Sequence, residues 1–148
     1  AKANQLLDDY FINRSISRET YQAFNVFCKD GKWIGFPYNG FNNRCDNIKY
    51  RTLDKKFKQT PKAKKSLYNY AHVKDAKTII FVEGELDVMA LWEVGYKNAT
   101  TLPDGAPAKT SFKENDKRFS CLQTHPIKAS KIILFTDCIG MAKGLVGM

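Results

Sequence analysis

The spacing of apolar residues changes character twice along the chain. Over Gln5–Ile12 the apolar positions cluster at helical spacing, which predicts a first helix. A second helix is predicted over Arg18–Phe24, with Ser17 as its N-cap and Glu19 in its first turn. Leu6, Tyr10, Ile16, Tyr21 and Phe24 are expected to pack the two helices together. Beyond them the period falls to two. Asn25–Cys28 and Lys32–Phe36 flank Asp30-Gly31, a hairpin signal because both central residues accept positive φ. Asn39-Gly40 and the Asn-rich stretch to Asp46 predict another turn. Asn47–Arg51 and Lys56–Lys58 read as further strands around Thr52-Leu53-Asp54. Residues 25–60 therefore read as a small antiparallel sheet, followed by a loop over Thr60–Lys65 and a tyrosine-rich segment, Ser66–Val73.

The second half alternates strands with helices. Thr78–Val82 is a continuous apolar run, as expected of a strand buried on both faces. Glu85–Val94 predicts an amphipathic helix with Leu86, Met89, Ala90 and Val94 on one side and Gly95 as its stop. Ala99–Leu102 reads as a short strand, Lys109–Leu122 as a helix, and Lys131–Phe135 as a third buried strand. The order β-α-β-α-β implies a parallel sheet with right-handed crossovers. The fold class expected is α/β with an α+β N-terminal part, divided into residues 1–77 and 78–148.

Charge separates the same two halves. Residues 1–77 hold 16 Lys and Arg against 7 Asp and Glu, a net of +9, whereas residues 78–148 hold 8 of each. The excess peaks between Arg44 and Lys65, where nine basic residues meet only Asp46 and Asp54. Such a block suits either a polyanion partner or a solvated basic face. Hydrophobic residues at 43% and aromatics at 13% exclude a disordered chain. No apolar run approaches the roughly 20 residues of a membrane span, and Ala1–Asn4 has no apolar signal core, so a cytoplasmic protein is expected. Cys28, Cys45, Cys121 and Cys138 form no C-x-x-C pair and lie far from His72 and His125, so reduced thiols and no zinc are expected.

Ligands of parallel sheets bind at the carboxyl ends of the strands. Two acids stand at such ends: Glu83 follows Val82, and Asp137 follows Phe135 after one Thr. Asp87, four residues past Glu83, reaches the same side once the helix has begun. Gly84 lets the backbone turn sharply. Converging carboxylates suit Mg²⁺, which takes one or two protein oxygens and completes its octahedron with phosphate and water. Read alone, Glu83 and Asp87 are equally what a helix macrodipole favours.

The run Val82-Glu83-Gly84-Glu85-Leu86-Asp87-Val88-Met89-Ala90-Leu91 resembles the first motif of the TOPRIM domain shared by primases, topoisomerases and some nucleases. Other segments resemble the primase half of phage primase-helicases, in order: Arg14–Thr20 its R-x-I-S-x-x helix, Lys49–Lys58 its basic K-x-R-x-x-x-K-x-F hairpin, Leu102–Ala106 its glycine turn, and Ile132–Asp137 the strand entering a D-x-D motif. The resemblance implies RNA primer synthesis from ribonucleoside triphosphates on single-stranded DNA, with a replicative helicase as partner in cis or trans. It implies Mg²⁺, or Mn²⁺, held by Glu83 and Asp137; Glu83, Asp87 and Asp137 as catalytic acids; and Lys49, Arg51, Lys55 and Lys58 on triphosphate or template. The tyrosines and Trp33 are candidates for base stacking, with core packing the expectation for Trp33.

The sequence departs from that pattern at Asp137-Cys138-Ile139-Gly140, where Ile139 stands in place of the second acid and cannot ligate a metal. The family continues through a further helix and strand, so the C-terminal part is expected to be shortened. A module that binds DNA without catalysis, and a TOPRIM nuclease, are the competing readings; the basic hairpin argues against the nuclease.

Overall fold

The computed structural model describes residues 2–40, 44–61, 66–102, 122 and 126–135. Helices α1 (Lys2–Ile12) and α2 (Arg18–Ala23) form where the helical period predicts them. The Ser17 hydroxyl caps α2 by accepting from the Thr20 N–H. Arg18 and the Tyr21 hydroxyl both bond the Asp8 carboxylate and clamp α2 to α1. A second clamp reaches forward: the Ser17 N–H donates to Glu93 at 2.5 Å.

Four antiparallel strands follow in sequence order: β1 (Phe27–Lys29), β2 (Trp33–Asn39), β3 (Cys45–Arg51) and β4 (Phe57–Gln59). The β1–β2 turn runs through Asp30 and Gly31, both at positive φ, 55° and 67°. This is the left-handed conformation the Asp-Gly pair was expected to supply. Ile34, Phe36 and Tyr38 alternate along β2 and are buried, with Phe36 edge-on to Phe11 of α1.

After a short helix α3 (Tyr70–Val73), a parallel sheet is built from β5 (Thr78–Val82), β6 (Ala99–Thr100) and β7 (Lys131–Phe135), in the order β6-β5-β7. Helix α4 (Glu85–Glu93) links β5 to β6. Alternation along β5 serves two cores. Ile80 and Val82 join a cluster with Phe11, Tyr21, Phe24, Phe36, Tyr38, Val88 and Met89, whereas Ile79 and Phe81 join Leu67, Tyr70, Val73 and Leu102. That is why β5 reads as an unbroken apolar run.

Two expectations change. Val88 and Met89 are the buried residues of α4, with Leu86, Leu91 and Trp92 packed partly against them; Ala90 and Val94 face solvent. The apolar stripe is centred one position away from the predicted one because α4 lies against both Ala99 and Phe24. β7 is not buried on both faces: Leu134 packs on the second core, but Ile132, Ile133 and Phe135 are exposed. The helix expected over Lys109–Leu122 lies, except for Leu122, outside the described residues. Among the described residues no helix is long and apolar enough to cross a membrane.

Candidate active site at the end of the central parallel strand

β5 delivers its chain to the carboxyl edge of the sheet and turns at Glu83-Gly84 into α4. Gly84 is the N-cap of α4 in extended conformation. It offers no side chain to cap the N–H groups of the first turn, but the Asp87 carboxylate, three residues on, accepts the Gly84 N–H, the second half of a capping box. Desolvation pushes the Asp87 carboxyl above its ordinary value, and the charges of Glu83 and Glu85 push it further, against the Gly84 hydrogen bond. Glu83 itself is exposed at the strand end. Three carboxylates therefore share one turn at the positive end of a helix.

The residue between the two predicted acids makes the firmest contact. Glu85 accepts a hydrogen bond from the Tyr38 hydroxyl and an ion pair from Lys49 Nζ at 2.8 Å, with both charged side chains largely enclosed (17% and 15% exposed). Lys49 arrives there by strand register. It stands opposite Phe36, and Arg51 stands opposite Ile34, so both lie on the core face of the antiparallel sheet. Arg51 extends this cationic wall toward α1, where its guanidinium lies 5.7 Å from the Tyr10 ring and that of Arg14 lies 3.8 Å from it. The Arg51 Nε and the Tyr10 hydroxyl are buried with no hydrogen-bond partner among the described residues. Burial raises the Tyr10 phenol, and the charges of Arg51 and Arg14 oppose that rise.

The four predicted basic residues do not converge. Lys49 faces the acidic turn, and Arg51, on the same face of the sheet, lies against Tyr10. Lys55 sits at positive φ in the β3–β4 turn and is exposed. Lys58 pairs with Tyr50 on the opposite face of the sheet. Asp137 and Ile139 lie outside the described residues. Even so, β5 and β7 are hydrogen-bonded neighbours that end level at Val82 and Phe135. Sequence reasoning missed Glu85, Tyr38, Arg14 and Tyr10 as parts of this wall. The period-two pattern that puts Lys49 in line with buried Phe36 was the available signal; the partner across 36 residues needs the tertiary register. Among the described residues no group of three or more His, Cys, Asp or Glu is arranged to hold a metal ion.

An antiparallel basic sheet set against a parallel sheet with an E-G-x-x-D turn is the arrangement that a TOPRIM-type primase core has. No family profile matches the chain. Two curated relatives from Arabidopsis thaliana, the chloroplastic/mitochondrial Twinkle homolog protein and a primase homolog protein, are each 35% identical over 94% of this chain. The chain spans only 21% and 44% of their lengths. The primase fragment of the bacteriophage T7 primase-helicase superposes with a TM-score of 0.70 at 26% identity, over 89% of this chain and 55% of that one. The catalytic domain of DnaG primase bound to single-stranded DNA shares the fold at a TM-score of 0.61 and 15% identity, over 85% of this chain and 52% of that one. The chain is thus similar to TOPRIM primases and, among them, resembles the primase half of phage primase-helicases.

Proposed function

We propose that this chain is the catalytic part of an enzyme that joins ribonucleotides on a single-stranded DNA template. The observation that carries the reading is the Lys49–Glu85 contact, which brings the basic sheet onto the acidic turn at the end of β5. Phosphoryl transfer depends chiefly on positioning and on neutralising phosphate charge, and this junction supplies both signs at one edge. In this reading residues 1–77 form the cationic wall and residues 78–148 the acidic one.

Glu83 is exposed at the strand end and takes the role of base toward an attacking hydroxyl, or of metal ligand. Asp87 is held by Gly84 and supports Glu83. Lys49 and Arg51 meet triphosphate or template phosphates, with Lys55 and Lys58 further out. The donors are hard carboxylate oxygens of the kind Mg²⁺ takes; desolvation, with a smaller contribution from the charges of Glu83 and Glu85, holds Asp87 above its usual range. Glu83 and Asp137 would hold it, with Asp87 supporting Glu83; when bound, the ion supplies charge neutralisation at the phosphates. A replicative helicase as partner, and a compartment where DNA is replicated, follow from the same reading.

The test is synthesis of labelled oligoribonucleotides from ribonucleoside triphosphates on single-stranded DNA, with Mg²⁺ or Mn²⁺. Product that disappears in Glu83→Gln is the expected result. DNA binding without synthesis, indifferent to Glu83→Gln, would instead support a binding module whose metal centre lacks the acid that Ile139 replaces.

A further inference from the structure

The antiparallel sheet has a second face, turned away from the acidic turn. Strand register places Phe27 opposite Gly35, Gly35 opposite Tyr50, and Tyr50 opposite Lys58. Trp33, two residues before Gly35 and opposite Lys29, shares that face. Lys49 and Arg51 point to the other one.

Trp33 is not the core residue expected of it. Trp33, Phe27 and Tyr50 are half-buried and belong to neither core cluster, whereas Lys29, Lys32 and Lys58 are exposed. The rings are nonetheless ordered, with Tyr50 edge-on to Phe27 at 5.9 Å and to Trp33 at 6.5 Å. Gly35 makes this possible, since a Cβ there would come within 2.4 Å of the Phe27 ring. Cations interleave the rings: Lys58 lies 4.2 Å from the Trp33 centroid and 5.1 Å from that of Tyr50, and Lys29 lies 5.4 Å from Tyr50.

We propose that this face is a track for single-stranded DNA, on which unpaired bases stack on Trp33 and Tyr50 while backbone phosphates meet Lys29, Lys32 and Lys58. Alternating π-faces and cations is the surface that sequence-tolerant single-strand binding uses. A paired duplex hides its base faces, so an unpaired strand is the occupant that matches both features. Three lysines crowded around two rings also repel one another, and a polyanion removes that repulsion. The proposal rests on the primase reading for its ligand, a DNA template, but not on any chemistry at Glu83. It moves Lys58 from the acidic turn to a separate strand path.

The experiment measures binding of a labelled oligothymidylate of about 16 nucleotides to the full chain, by anisotropy, without nucleotide or divalent cation. Trp33→Ala is expected to weaken binding roughly five- to a hundred-fold, the range for loss of one base–aromatic stack. Trp33→Phe should restore most of it, and thermal melting of both variants should stay near that of the parent. Lys58→Gln should lower the slope of log affinity against log salt by about one. In a Trp92→Phe background the remaining Trp33 fluorescence should be quenched by oligothymidylate and not by an abasic oligomer of equal length. Equal binding by parent and Trp33→Ala, equal binding of the abasic oligomer, or no DNA binding at all overturns the proposal. Tighter binding of oligouridylate overturns the assignment to DNA. A chain that makes oligoribonucleotides, yet binds DNA unchanged in Trp33→Ala, overturns this inference alone; loss of synthesis with stacking intact overturns only the catalytic reading.

Discussion

Replacing Lys49 by Met keeps most of the aliphatic stem that packs beside Phe36 and removes the charge that meets Glu85. Lys49 Nζ and Glu85 Oε1 are 2.8 Å apart, with side chains 17% and 15% exposed. Exposed ion pairs contribute about 0–1 kcal/mol, and removing one partner of a fully buried pair costs about 3–5 kcal/mol. This pair lies between those limits, and Glu85 retains the Tyr38 hydroxyl in the variant. The expected loss is therefore about 2 kcal/mol, or a fall of about 6 °C in melting temperature for a domain of this size. Urea unfolding of the parent, Lys49→Met, Glu85→Gln and the double variant closes a thermodynamic cycle. The coupling energy should be about 1–2 kcal/mol, because each single change strands an enclosed charge that the double change removes. A loss below about 0.5 kcal/mol with no coupling would mean that water screens the pair, and the basic sheet would then not be fastened to the acidic turn in this way.

Gly35→Ala should destabilise the chain by about 1–3 kcal/mol through overpacking against Phe27, and Phe27→Leu in the same chain should recover part of the loss; an unchanged melting temperature would show that the ring moves aside freely. Arg18 and the Tyr21 hydroxyl hold the Asp8 carboxyl down at about 2, against 3.8 for the free group. A lowered pKa stabilises the fold above the unfolded value, and that contribution is lost as pH falls through the folded one. Urea midpoints should thus decline between pH 3.8 and about 2 more steeply in the parent than in Asp8→Asn, and equal slopes would contradict the clamp.

Local chemistry made much of the architecture legible. The Asp30-Gly31 turn, the Ser17 cap and the apolar run of β5 each declare a conformation within a few residues. The first acidic turn was legible for the same reason: Glu83, Gly84 and Asp87 are adjacent to the strand end that presents them. Lys49 and Lys58 looked alike in sequence because charge says nothing of which face a strand presents. Only pairing with Phe36 and Tyr50 separates them. Glu85 was hidden because its partners, Tyr38 and Lys49, come from another sheet. The exposure of β7 was hidden because an apolar run looks the same whether or not both of its faces are covered.

Consecutive residues of β3 serve opposite surfaces, Lys49 the acidic turn and Tyr50 the aromatic face. Substitutions along this strand are therefore local in effect, but a change of length is not. Deleting one residue between Cys45 and Tyr50 would turn every later side chain of the strand over, putting tyrosine where Glu85 needs a cation and arginine among the rings. Drift in this segment should accordingly proceed by replacement, with insertions and deletions confined to the turns on either side.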